Sequence, residues 1–147
     1  MNKIVLILTV LILSIRVNAQ ELHATGYELG IRMGSWAGSG ASVDGVMKLG
    51  QNRIHADLGL FENTFTIEGF YDWSFPIAEG FSFYPGVGGG MAFTDAGIVL
   101  GLGGELGFEY AFKIPLTIGL DWRPMILLVN ANNFGYNHGG LNIRYRF

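Results

Sequence analysis

The chain ends in GLNIRYRF, residues 140–147, where apolar and polar residues alternate without a break. Successive side chains of a β-strand point to opposite faces, so this stretch would have two different faces. The apolar face carries Leu141, Ile143, Tyr145 and Phe147. The polar face carries Asn142, Arg144 and Arg146. An apolar outer face, a charged inner face and an aromatic residue at the end are typical of a strand in an outer-membrane β-barrel.

The first residues have the pattern of a secretory signal peptide. Lys3 precedes an apolar run at 4–13, and VNA at 17–19 resembles a small-residue cleavage site. The run is too short to cross a bilayer as a helix, which needs about 20 residues. A retained anchor helix is the alternative interpretation. We expect a signal peptide at 1–19 and one outer-membrane β-barrel domain at 20–147.

The composition also favours a membrane barrel. Charged residues make up 14% of the chain, against about 25% in a typical soluble domain. Aromatic residues make up another 14%, and there are 23 glycines. After the signal segment, no apolar run is long enough for a transmembrane helix. Only helices and closed barrels satisfy every backbone group in lipid, so strands would have to cross the membrane.

Several classes of function are disfavoured by what the sequence contains. There is no cysteine, so a disulfide framework, a thiolate metal site and a lipoprotein anchor are excluded. The net charge is −3 and basic residues do not cluster, so we expect no nucleic-acid partner. The glycine runs at 88–90 and 101–104 lack the Gly-Lys-Ser/Thr of a phosphate loop. No His, Asp and Glu spacing indicates a metal site, so we expect neither metal nor cofactor.

The same alternation recurs along the chain. Eight segments show it, at 27–33, 42–49, 53–60, 65–75, 81–93, 100–112, 116–123 and 140–147. The predicted fold is all-β, an eight-stranded antiparallel up-and-down transmembrane β-barrel. An even number of strands puts both termini on the periplasmic side. The periplasmic turns would lie at Gly50, Pro76 and Lys113. The extracellular connections would lie at Ser35, Glu62, Asp95 and Asn132.

Three local features of the strands follow from proline and glycine positions. Pro76 should end the fourth strand, because proline cannot donate a ladder hydrogen bond. Pro85 and the glycines at 88–90 should be absorbed by a bulge in the fifth strand. The stretch 125–138, rich in Asn and Gly, should be the longest connection and the best place for surface contacts. Its candidate contact residues are Asn132, Phe134 and Tyr136.

Alternation alone does not say which face is inside. A soluble, secreted barrel of the lipocalin type would alternate too, with its apolar face inward. Two observations favour lipid outside: the polar face is rich in glycine and poor in charge, and aromatic residues gather near strand ends. The barrel interior would then hold the charged residues.

An interior of this kind has to pair its charges. Buried charge is prohibitive unless paired, and eight strands enclose only enough room for side chains. We therefore predict a plugged, salt-bridged lumen. The predicted lumen network comprises Glu28, Arg32, Asp44, Lys48, Arg53, His55, Asp57, Glu68, Asp72, Glu105, Glu109, Asp121, Arg123, Arg144 and Arg146.

Four stretches carry a family resemblance: GFEYAF at 107–112, IPL at 114–116, GLDWRP at 119–124 and GGLNIRYRF at 139–147. They resemble the C-terminal half of small outer-membrane β-barrel proteins of the Bacteroidetes type, often grouped with OmpA/OmpX-like or porin-family barrels. Before residue 107 the resemblance is architectural only. It implies a barrel inserted by the outer-membrane assembly machinery, and it implies no catalytic residues. The assembly signal would map onto Leu141, Ile143, Tyr145 and Phe147.

We expect a monomeric, non-enzymatic protein of the outer membrane with a structural or surface-interaction role, its partners being lipid and the assembly machinery. A narrow channel for ions or small solutes is the main alternative. A lipid-modifying enzyme would need a Ser/His/acid set. His55 beside Asp57 is the nearest candidate, but nothing marks a nucleophilic serine, so His55 is better interpreted as a paired interior residue.

Overall fold

The computed structural model describes residues 26–34, 40–129 and 136–147, with the backbone alone at 61, 129, 136 and 137. These residues form nine β-strands. The strands are β1 (Tyr27–Met33), β2 (Ala41–Leu49), β3 (Asn52–Phe61), β4 (Thr64–Trp73), β5 (Phe75–Ala78), β6 (Phe81–Thr94), β7 (Gly97–Ala111), β8 (Leu116–Val129) and β9 (Tyr136–Arg146). Within the described ranges, no helix has the length and apolar character to cross a membrane. The predicted signal peptide at 1–19 lies outside these ranges.

All nine strands belong to one closed antiparallel sheet. Except for β4 and β5, strands adjacent in the chain pair with each other, β1 pairs with β9, and β4 pairs with β6. Strands β4 and β5 together occupy one position in the wall, because both pair with β6 in the same register. Asp72 of β4 lies opposite Gly86, and Phe75 of β5 lies opposite Phe83. The wall therefore has eight positions, and the prediction of an eight-stranded up-and-down barrel is confirmed.

The two predictions about proline were wrong in detail. Pro76 does not end a strand but lies within β5, and the register shifts between Pro76 and Ala78. β6 pairs with β7 without any shift from Phe81 to Thr94, so Pro85 and the glycines at 88–90 form no bulge there. Instead, the wall is interrupted at Ser74, on the strand beside Pro85. In this register Pro85, which has no N–H to donate, lies opposite Trp73, the residue next to the interruption.

Both ends of the described chain lie at the same end of the barrel. The Phe147 N–H donates to the carbonyl of Tyr27 (3.0 Å), and the Arg146 N–H donates to the carbonyl of Pro115 (3.1 Å). We call this the turn end; it also holds the turn at Gly50, where φ is +67°. The opposite end, called the loop end, holds the turn at Glu62, which has φ of +49°. This arrangement follows from an even number of wall positions.

The connection between β8 and β9 is shorter than predicted. β8 continues to Val129 and β9 begins at Tyr136, so 125–129 and 136–138 are strand rather than loop. Met125 is almost fully buried inside the barrel. The strands thus continue into both ends of the stretch 125–138, whose Asn and Gly content had favoured a loop.

Alternate side chains along each strand point to opposite faces of the barrel wall, and the polar side chains point inside. Ile31 is 52% exposed on the outer face of β1, whereas its neighbour Arg32 is fully buried. The same contrast separates exposed Leu120 from buried Asp121 on β8. The lipocalin-type alternative is therefore wrong, because it requires the apolar face to point inward.

Glycines on the inner face leave room for larger lumen side chains. A Cβ at Gly107 would overlap the ring of Tyr84, and a Cβ at Gly140 would overlap the guanidinium of Arg32. Tyr84 and Gly107 lie directly opposite each other on β6 and β7. The lumen is thus filled by long side chains that lie across bare backbone on the neighbouring strand.

Candidate functional site: the lumen charge network

The interior of the barrel contains acidic and basic residues in unequal number. Eight carboxylates are buried there, those of Glu28, Asp44, Asp57, Glu68, Asp72, Glu105, Glu109 and Asp121. Four guanidinium groups are buried with them, those of Arg32, Arg53, Arg123 and Arg144. His55 is buried as well. Each of these residues is at an inward position of its strand, so the period-two pattern alone brings them into one space.

Arg123 joins four strands across the lumen. From β8, its Nη1 lies 2.6 Å from Asp57 Oδ2 on β3 and 2.8 Å from Glu68 Oε2 on β4. Its Nη2 lies 2.9 Å from Glu105 Oε1 on β7. Charge-assisted bonds of this length are the strong ones, and together they fix the separation of opposite walls.

Arg144 makes a second set of contacts from β9. Its Nε lies 3.0 Å from Glu28 Oε2 on β1, and its Nη1 lies 3.1 Å from Asp44 Oδ2 on β2. Its Nη2 lies 2.5 Å from Glu109 Oε2 on β7. The two strands that close the barrel, β1 and β9, are therefore held by an ion pair as well as by their ladder.

The remaining two arginines complete the network. Arg53 Nε lies 2.9 Å from Asp72 Oδ2, and Arg53 Nη1 lies 2.6 Å from Glu109 Oε2. The Arg53 guanidinium also stacks 3.7 Å above the ring of Tyr84, a cation–π contact. Arg32 forms a short ion pair with Asp121. Within the described residues, every buried guanidinium thus has at least one carboxylate partner.

Three acids lie side by side in the wall. Asp44 is directly opposite Asp57, and Asp57 is directly opposite Glu68, on β2, β3 and β4. Like charges in such positions destabilise a sheet. Arg123 and Arg144 reach these acids from the other side of the lumen. The acidic row therefore depends on cations supplied by distant strands.

His55 lies between four carboxylates. Its Nε2 is 2.7 Å from Asp44 Oδ1, and its Nδ1 is 3.1 Å from Glu105 Oε1. Two further acid oxygens, of Asp72 and Asp57, lie at 3.6 Å and 3.9 Å. These atoms converge as metal ligands do. We do not assign them to a metal, because carboxylates already engage both ring nitrogens and the Arg123 guanidinium lies 3.4 Å from each.

The structure places two of the predicted network residues at the rim. The Lys48 side chain is 44% exposed, although its Nζ lies 3.1 Å from Glu28 Oε1. Arg146 donates to the backbone carbonyls of Phe112 and Ile114 instead of reaching into the network. The prediction of a lumen ion pair for Arg146 is wrong, because β9 ends at this residue and its side chain lies beside the turn.

The sequence interpretation missed the apolar part of the interior. Phe70 and Tyr84 are buried inside, where they lie against Arg123 and Arg53 respectively. Val46 is buried as well. The signal that could have found Phe70 was its place between Glu68 and Asp72, two inward positions of β4. The predicted lumen network consisted of charged residues and His55, so Phe70 was assigned to neither face.

Two other sets of predicted residues have different outcomes. Asn132 and Phe134 lie outside the described residues, and Tyr136 is the first residue of β9, so contact with a ligand there stays a prediction. The proposed assembly-signal residues lie on the outer face of β9, where the rings of Tyr145 and Phe147 are 5.1 Å apart. Their role in assembly also stays a prediction.

The fold and interior define a small closed β-barrel with its polar side chains inside and its apolar side chains outside. No protein-family model matches the sequence, and no curated protein matches it. Among solved structures, the chain is similar to the crystal structure of Neisserial surface protein A, NspA, with a TM-score of 0.56. The two chains are 15% identical over 83% of this chain and 97% of the other. At this identity the similarity shows a shared fold.

Proposed function

We propose that this chain is an integral outer-membrane β-barrel protein with a plugged lumen and a structural or surface-interaction role. One observation carries the proposal: the barrel buries its charged residues and exposes its large apolar ones. Leu60 and Leu120, for example, are 65% and 62% exposed on the outer face. A continuous apolar exterior of this kind is unstable in water but suits lipid. The similarity to a Neisserial surface protein supports the same location.

Aromatic residues at both ends of the barrel support insertion in a bilayer. At the turn end, the rings of Phe81 and Tyr110 are 4.6 Å apart, and those of Tyr110 and Phe112 are 4.7 Å apart. At the loop end, Phe65 and Phe93 stack at 6.0 Å. Aromatic rings at two levels are what the two membrane–water interfaces favour.

The plugged lumen is supported by contacts across it. Arg123, Arg144 and Tyr84 fill the space between opposite walls, and the guanidinium groups are tied to carboxylates on two or more strands. A narrow channel is the second candidate. It is favoured by buried polar atoms that have no hydrogen-bond partner, among them Arg53 Nη2, Asp72 Oδ1 and Glu105 Oε2. Such atoms are places where water can bind.

We propose that the protein is not an enzyme. Catalysis by a hydroxyl needs a base within hydrogen-bond reach that is free to accept its proton. The Ser42 hydroxyl donates to Asp57 Oδ1 (3.0 Å), and carboxylates flank both nitrogens of His55. This arrangement supports an interior ion-pair role for His55.

The relation to Bacteroidetes-type barrels of the OmpA/OmpX-like or porin-family grouping also belongs to the proposal. It carries with it insertion by the assembly machinery. We also propose a signal peptide at 1–19, from the N-terminal sequence pattern, and a monomeric state. The exposed position of Tyr145 on the last strand is consistent with recognition of that strand from outside the barrel.

The test is to refold the chain from residue 20 in detergent and then transfer it to lipid vesicles. An unboiled sample should migrate faster in a gel than a boiled one and should show a β-type circular dichroism spectrum. In a planar bilayer the inserted protein should give no conductance at neutral pH. A chain that stays soluble and folded without detergent would contradict the membrane proposal. Steady conductance by the folded barrel would favour the channel.

A further inference from the structure

The contacts of the His55 ring indicate its protonation state. A neutral imidazole has one N–H donor and one lone pair. Here Nε2 is 2.7 Å from Asp44 and Nδ1 is 3.1 Å from Glu105. Carboxylates only accept hydrogen bonds. A neutral ring would therefore place one unprotonated nitrogen against a carboxylate oxygen, whereas an imidazolium donates a hydrogen bond from Nε2 to Asp44 and keeps Nδ1 as a charged contact with Glu105.

The charge balance of the interior points the same way. Eight buried carboxylates share four guanidinium groups, and the Lys48 ammonium is at the rim. Each of Arg53, Arg123 and Arg144 already contacts two to four carboxylates. A buried charge without a partner is strongly unfavourable. Each of the four acids around His55 has an arginine partner, but each of these arginines is shared with at least one other acid. A positive charge on the His55 ring would offset part of the remaining excess of negative charge.

His55 also connects the two main parts of the network. The groups that face its ring are Asp44 from β2, Asp57 from β3, Asp72 from β4, Tyr84 from β6, Glu105 from β7 and Arg123 from β8. Asp44 belongs to the set held by Arg144, and Glu105 belongs to the set held by Arg123. A doubly protonated ring would thus place a positive charge in contact with both sets.

We propose that His55 is an imidazolium protonated on both nitrogens, and that this charge keeps the lumen closed to ions. Loss of one proton would leave the acids around the ring short of a cation. Water and small cations would then enter to solvate them, because carboxylates in excess of their cations are costly in a dry interior. The barrel would accordingly conduct cations at alkaline pH and stay closed at neutral pH. This inference goes beyond the proposed plugged barrel and relies on it for the closed state.

The first test is NMR of the refolded full barrel in detergent, with isotope-labelled histidine. At neutral pH the His55 ring should show a proton attached to each nitrogen, and both should exchange slowly with solvent. The signal is assigned by comparison with the His138→Gln and His23→Gln variants. A ring with one attached proton at neutral pH would overturn the proposal, whether or not the protein inserts in lipid.

The second test is conductance in a planar bilayer as the pH is raised. Wild-type protein should pass from no conductance to cation-selective conductance, whereas His55→Gln should conduct at neutral pH too. The matched control is His138→Gln, because His138 Nε2 lies 3.7 Å from Glu68 and neither ring nitrogen of His138 has a hydrogen-bond partner among the described residues. This variant should behave like wild type. An inserted wild-type barrel that stays closed at every pH would overturn the proposal. Failure to insert would instead contradict the outer-membrane function.

Discussion

Two arginines on the last strand allow the charge network to be tested with a matched pair of substitutions. Arg144 and Arg146 are two residues apart and belong to the same polar face of the sequence pattern. Arg144 is fully buried and contacts three carboxylates, whereas Arg146 donates to two backbone carbonyls at the rim. Changing each to leucine removes the same side chain from two different environments.

The expected magnitudes follow from the partners that remain. Removing one member of a buried ion pair costs about 3–5 kcal/mol. After Arg144→Leu, Glu28 keeps Lys48, Asp44 keeps His55 and Glu109 keeps Arg53. We therefore expect the lower end of that range, about 3 kcal/mol.

For Arg146→Leu the loss is limited to two hydrogen bonds at the rim. A hydrogen bond contributes about 1 kcal/mol on average, and less where water replaces the lost partner. The free energy of unfolding should fall by about 1 kcal/mol or slightly more. The difference between the two variants should then be about 2 kcal/mol, since the Arg144 variant loses a buried charge.

The assay is reversible urea unfolding of the barrel in lipid vesicles, followed by tryptophan fluorescence and by gel mobility. If Arg146→Leu destabilised the barrel as much as Arg144→Leu, the distinction between network and rim would be refuted. The double variant Glu28→Gln with Arg144→Leu provides a further check. It should be more stable than Arg144→Leu alone, because it removes one of the acids that lost a partner.

Two further predictions address the outer face and the inner glycines. If the barrel spans a bilayer, Leu102→Arg on the outer face of β7 should lower the free energy of unfolding in vesicles by about 2–4 kcal/mol. Leu60→Arg, near the end of β3, should lower it by about 1 kcal/mol or less. Equal effects of the two variants would argue against a bilayer around the barrel. Gly107→Ala should destabilise by about 1–3 kcal/mol through overlap with the Tyr84 ring. A Cβ added at Gly40 meets nothing within 4 Å. Gly40→Ala is therefore the control for Gly107→Ala in the same denaturation assay.

Strand parity made the barrel and most of its interior predictable from the sequence. Asp57 and Arg53 could be assigned to the lumen because their neighbours at odd spacing, Ile54 and Leu58, are aliphatic. Phe70 could not be assigned so easily, because burial of an aromatic residue depends on the space left by glycines on the next strand. A Cβ at Gly88 would meet the Phe70 ring. To predict which side chain faces which glycine on the next strand, one must know the register of the two strands, and the sequence pattern does not specify it.

The sequence pattern also could not predict which residues of the network pair with each other, because the pairs depend on the topology of the barrel. Each arginine reaches acids on strands that are far from it in the chain: Arg144 and Glu28 are 116 residues apart, and Arg32 and Asp121 are 89 apart. Parity identifies which residues point inward, but the tilt and stagger of the closed wall decide which of them meet.

This separation also couples ion pairing to barrel closure. The pairs between Arg144 and Glu28 and between Arg144 and Asp44 can form only when β9 lies beside β1. Before closure, the acidic row on β2, β3 and β4 is without its cations, and like charges face each other across the strands. The open sheet is therefore destabilised by the same residues that stabilise the closed barrel. Closure of β1 with β9 should accordingly be cooperative with formation of the whole network, with few partly paired states between them.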